Sequence, residues 1–111
     1  MTVNTPIYPE FLREILLPMP GVTKRLCYGT TAFYEEKKIF ARIKENDETL
    51  VVQTHERDKW MEADPIIFFL TAHYLNYDYM LISLRKVSPD DLTTLLVKAW
   101  YNRADRKLRG I

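Results

Sequence analysis

Two histidines, one cysteine and a scatter of lysines and arginines are the residues of this 111-residue chain that could carry chemistry. His73 invites a catalytic reading, because Tyr74, Tyr77 and Asp78 follow it closely and an imidazole on a loop suits general acid–base work. The competing reading is that His73 anchors its loop by hydrogen bonds. No nucleophile motif, Gly-rich phosphate loop or telling pair of carboxylates accompanies it. The anchor is therefore preferred, with no catalytic residue and no enzyme expected. A metal would have to be held by His55, His73 or Cys27 and nearby carboxylates, but the chain has no HxxxH, CxxC or acidic-loop spacing. Neither metal nor cofactor is expected. Cys27 follows Lys24 and Arg25, and neighbouring cations lower a thiol pKa. A small buried hydrophobe is the preferred role for a lone cysteine.

Phosphate recognition is the remaining chemistry. Its candidates are Lys24, Arg25, Lys37, Lys38, Arg42 and Lys44, with Tyr28, Phe40 or Tyr74 to stack or wedge. Acidic residues outnumber basic ones by one over residues 35–48. Alternation still sets Lys38, Arg42 and Lys44 on a face away from the acidic turns. Arg103, Arg106, Lys107 and Arg109 make a basic tail. A solvated, salt-bridged surface is the plain alternative. Seven Tyr, two Trp and five Phe raise a third class, a partner- or ligand-binding module. Its surface would be a second sheet face showing Phe40, Val51 and Tyr79, for a protein partner or a homodimer. A fuller core would explain the same aromatics.

The elements that must position these residues centre on residues 30–54, TTAFYEEKKIFARIKENDETLVVQT. The stretch reads as three antiparallel strands joined by tight turns. Ile39, Ala41 and Ile43 fall on one face, and Lys38, Phe40, Arg42 and Lys44 on the other. Asn46-Asp47 forms one turn, and Glu35-Glu36-Lys37 the other. A first helix lies within residues 6–17, starting at Pro6 behind a Thr5 cap or at Pro9, and carries Phe11, Leu12, Ile15 and Leu16 as its stripe. A short strand is open over residues 22–27. A second helix is expected at residues 55–63 with Thr54 as cap. Residues 66–70 form a buried strand or a tucked segment, and residues 71–78 a polar-aromatic loop. Met80, Ile82 and Leu84 alternate in a closing strand. A third helix starts at Ser88-Pro89, with Leu92, Leu95, Leu96, Ala99 and Trp100 as its stripe and Trp100 as a buried anchor. The fold expected is a two-layer α+β domain, an antiparallel sheet of about five strands with the N- and C-terminal helices packed on one face.

Composition fits a single globular domain, 47% hydrophobic and 28% charged. A net charge of +1 announces no nucleic-acid partner by itself. The polar start, the single cysteine and the absence of a long apolar run predict a cytoplasmic protein with no membrane role.

Several of these features, in order, resemble the MmcQ/YjbR family. They are Leu17-Pro18 and Pro20-Gly21-Val22 after the first helix, Tyr28-Gly29, Lys38-Ile39-Phe40-Ala41, Ala63-Asp64-Pro65, His73-Tyr74, and the Leu95, Leu96, Ala99, Trp100 helix. The resemblance covers about residues 11–104. It implies one CyaY-like α+β domain with a double-wing arrangement and a DNA-binding role, and brings no catalytic residues. The CyaY-like shape brings no iron site, since Glu10 and Glu14 are the only acids of the first helix. The expected function is DNA binding without strong sequence preference, through Lys24, Arg25, Lys38, Arg42 and Lys44. The alternative is a protein- or small-ligand-binding module using the aromatic face and the His73-Tyr74 loop.

Overall fold

A computed structural model describes residues 9–46 and 48–104. Its sheet has six strands: β1 Val22–Cys27, β2 Thr30–Glu35, β3 Lys38–Ile43, β4 Thr49–Gln53, β5 Phe68–Phe69 and β6 Tyr79–Ser83. Their order is β1-β2-β3-β4-β6-β5, every pair antiparallel. The helices are α1 Pro9–Leu16, α2 Arg57–Ala63 and α3 Pro89–Arg103. A single 3-10 turn spans Ala72–Tyr74.

Helix α1 is described from Pro9; the alternative start at Thr5 and Pro6 lies outside the described residues. Its Leu12 and Leu16 are fully buried. Helix α3 forms as its sequence dictates. Ser88 Oγ accepts from the Asp91 amide at 3.1 Å, Pro89 opens the first turn, and Leu92, Leu95, Leu96 and Ala99 are buried. These side chains share one core with Phe33, Ile43, Leu50, Val52, Met80 and Ile82. Trp100 is half-buried rather than enclosed. It packs on that core while its Nε1 donates to the Pro20 carbonyl at 2.8 Å, tying α3 to the α1–β1 connection.

Helix α2 begins at Arg57, two residues later than expected. Thr54 Oγ1 accepts the Glu56 amide at 3.0 Å, which closes a turn ahead of the helix instead of capping it. Residues 66–70 resolve into the short edge strand β5, with Phe68 in the core and Ile66 exposed. Among the described residues, no helix is long and apolar enough to cross a membrane.

The expected facing of β3 is corrected by a β-bulge. Ala41 pairs with Phe33 but Ile39 pairs with Tyr34, so Phe40 is an extra residue. Phe40 therefore joins Ala41 and Ile43 in the core, fully buried, while Ile39 borders the opposite face with Arg42. Lys38 stands opposite Glu35 and, by alternation from Ile39, on the helix side of the sheet. Lys38 and Arg42 thus do not share a face, and lie roughly 13 Å apart along the strand. Nor is the second face an open aromatic surface, because Phe40 has left it and Val51 and Leu81 are buried there. Of the aromatics expected on that face, Phe40 belongs to the core instead.

Two backbone positions set the N-terminal half of the sheet. The β1–β2 hairpin turns on Tyr28 (φ 52°) and Gly29 (φ 81°), both left-handed as a type I′ turn requires. Gly21 (φ 75°) delivers the chain into β1, and its carbonyl accepts the Glu36 amide at 3.0 Å. A Cβ there would stand 2.2 Å from Glu35 Oε2, a carboxylate buried beneath it. Gly21→Ala is expected to cost about 1–2 kcal/mol from the left-handed backbone alone, with displacement of Glu35 added. A urea melt checks this; an unchanged midpoint would contradict it.

Candidate nucleic-acid interface

The β1–β2 hairpin forms a two-stranded wing, in the geometric sense, at one edge of the sheet. Strand β1 is an edge strand whose Thr23, Lys24, Arg25 and Leu26 are all exposed. Tyr28 at its tip is 87% exposed and Leu26 is 77% exposed. Register places Arg25, Ala32 and Arg42 in one row across three strands, on the face away from the helices. Lys24 sits in the neighbouring row, Phe33 and Ala41, on the helix side. The Arg25 guanidinium lies over the Tyr34 ring at 4.9 Å and donates to the Glu36 carbonyl at 3.4 Å, which positions the head group while it stays exposed to water. Burial, then a hydrogen bond with Cys27, pushes the Tyr34 hydroxyl pKa up.

Arg42 is not the free phosphate contact its sequence position suggested. It is 8% exposed. Its Nε donates to the Cys27 carbonyl at 3.3 Å, its Nη2 pairs with Glu45, and its Cζ lies 5.4 Å from the Tyr28 ring centroid. Burial opposes its charge, but the Glu45 carboxylate more than offsets that and raises its pKa. Arg42 therefore supports the wing tip from behind. The five expected cations divide by place. Lys24 and Arg25 line the wing, and half-exposed Lys44 follows β3 at the wing's end of the sheet. Lys38 stands at the far end beside Glu35.

Behind Tyr28 lies a cleft of about 190 Å³, bordered by Ile39, Arg42, Val51, His73, Tyr74 and Tyr79. The His73-Tyr74 loop therefore does meet the sheet. His73 stands edge-on to Tyr74 at 4.7 Å, and Tyr74 to Tyr79 at 5.9 Å. The loop is anchored by Arg57 of α2. Arg57 Nη1 donates to the carbonyls of Tyr77 (2.6 Å), Tyr74 (3.3 Å) and Tyr79 (3.4 Å), and Nη2 to that of Leu75 (2.8 Å). Arg103 holds the far wall: its Nη2 donates to Tyr79 Oη at 3.1 Å and its Nε to the Ile39 carbonyl at the bulge, also at 3.1 Å. Arg103 is thus a structural clasp and not part of a basic tail; Arg106, Lys107 and Arg109 lie outside the described residues. Sequence reasoning missed both clasps, because their partners are backbone carbonyls and a phenol with no charge pattern to betray them.

Of the residues grouped with His73 in the sequence, Tyr74 lies against its ring, at 4.7 Å between centroids. Asp78 Oδ2 approaches His55 Nδ1 at 3.6 Å instead. Among the described residues no three His, Cys, Asp or Glu side chains gather to hold a metal.

No family model matches the chain, and no curated protein matches it significantly. Among solved structures it is similar to the crystal structure of Deinococcus radiodurans protein DR2400, a DUF419 domain. The TM-score is 0.71 at 18% sequence identity, over 88% of this chain and 80% of that one. At that identity the likeness concerns the fold alone, a two-layer α+β domain built on an antiparallel sheet.

Proposed function

We propose that the chain is a non-catalytic nucleic-acid-binding module of the MmcQ/YjbR type, working through the β1–β2 wing. The observation that carries this reading is Tyr28. A bulky residue in the left-handed region is strained by about 1–2 kcal/mol relative to glycine, and asparagine is the side chain that this turn favours. Tyr28 nevertheless stands there 87% exposed, with Arg42 beneath it and Lys24 and Arg25 on the adjoining strand. An exposed ring flanked by cations is the arrangement that stacks a base and neutralises neighbouring phosphates. The fold neighbour supports the reading in a coarser way, since DUF419 is related to the MmcQ/YjbR family. A modest net charge suits weak binding without base preference, and a cytoplasmic setting suits the single cysteine.

The second reading, a protein- or small-ligand-binding module, draws on the aromatic cleft. A homodimer through the open edge of β1 is disfavoured by Lys24 and Arg25, because charges on an edge strand resist edge-to-edge pairing.

Fluorescence anisotropy of a labelled oligonucleotide, titrated across a salt series, separates these readings. Affinity is expected to fall steeply with salt, and Arg25→Ala to flatten the log–log slope by about one. Salt-insensitive self-association with no oligonucleotide bound at low salt would favour the second reading.

A further inference from the structure

We infer that the cleft behind Tyr28 receives one unstacked base, so that the partner is single-stranded rather than duplex nucleic acid. This rests on the nucleic-acid reading above and adds which strand form is bound and where its base goes.

Size comes first. A space of about 190 Å³ holds roughly six waters at about 30 Å³ each. That is the scale of one heterocycle and below the roughly 300 Å³ of larger ligand sites. Shape follows from the lining. Tyr28, Tyr74 and Tyr79 supply aromatic walls, and Val51 an apolar floor. Charge decides between a base and a free anion. Arg42 is the cation at the cleft, and it is already paired with Glu45. The site is therefore close to neutral, which suits an uncharged ring carrying donors and acceptors. Phosphates are left to Arg25 and Lys44 on the same face, outside the cleft.

The walls are also set in advance. Arg57 fixes the carbonyls of Tyr74 and Leu75, and Arg103 holds the Tyr79 hydroxyl. A pre-ordered site spends less entropy on binding. A base inside a duplex is stacked on both sides and cannot enter such a pocket without leaving the helix. A single strand has far less stacking to give up.

The test uses the whole chain, a labelled oligothymidine, its duplex with oligoadenine, and the same strand made abasic. Anisotropy is expected to show the intact single strand binding about tenfold tighter than either of the others. Tyr74→Ala, checked by thermal melting, should lose about tenfold on the single strand and little on the duplex. A readout without a variant guards against misfolding: the Val51 methyl resonances should move on titration with the intact strand and stay in place with the abasic one. Equal affinity for duplex and single strand, or silent Val51 methyls at saturation, would overturn the cleft while leaving the nucleic-acid reading standing. No binding of any strand at low salt would defeat both.

Discussion

Arg57→Ala is expected to destabilise the protein by about 2–3 kcal/mol, a large effect for a half-exposed arginine. The guanidinium serves three carbonyls of one short loop, those of Tyr74, Leu75 and Tyr77, and that of Tyr79 at the start of β6. A hydrogen bond from a charged donor contributes about 1.5–3 kcal/mol where it is sheltered. Four that share one head group contribute less than their sum. With the donor gone, those carbonyls turn to water and residues 71–78 lose the tie that fixes them against α2. Hydrogen exchange should show this as early opening of that loop, ahead of the sheet. Arg57→Lys should recover less than half of the loss, because one ammonium cannot reproduce the planar fork. An unchanged melting midpoint in Arg57→Ala would mean that the loop is held by its tyrosine contacts alone.

Tyr28→Asn is expected to separate stability from binding. The substitution installs Asn-Gly, the sequence best suited to a two-residue turn with both φ angles positive. It relieves about 1–2 kcal/mol of left-handed strain and gives up a cation–π contact with Arg42 worth about 0.5–1 kcal/mol. The net change is therefore between zero and about 1.5 kcal/mol in favour of the fold. Oligonucleotide affinity should fall about tenfold, since stacking on one aromatic ring contributes about 1–3 kcal/mol per base. Calorimetry and anisotropy on the same preparation check both halves. A variant that is less stable and binds unchanged would mean that Tyr28 serves only the turn.

The parts legible in the sequence are those governed by local rules. Helix α3 declared itself through the Ser88 cap, the Pro89 first turn and its leucine spacing. Met80, Ile82 and Leu84 alternated as they pack. The strand β3 alternation failed at one place, because a bulge inserts Phe40 and no local signal marks which residue will be extra. That single shift moved Ile39, Phe40 and Lys38 to unexpected faces and dispersed the basic face expected of Lys38, Arg42 and Lys44. The site was legible only as ingredients. Tyr28, Arg42, His73 and Tyr74 were all candidates, but their meeting in one cleft depends on register and on the Arg57 clamp. Distant carbonyl partners leave no periodic trace. The approach of Asp78 to His55 was equally hidden, since the two lie far apart in the sequence.

The hairpin of β1 and β2 is the proposed binding surface. The most direct test is a titration of isotope-labelled protein with a single-stranded oligonucleotide at low salt, followed by amide chemical shifts. The expected result is a contiguous set of perturbations at Lys24, Arg25, Leu26, Tyr28 and Gly29, extending to Arg42 and Lys44, that fades as salt is raised. Perturbations confined to α2 and α3, or a spectrum unmoved by excess oligonucleotide, would contradict the wing as the binding surface.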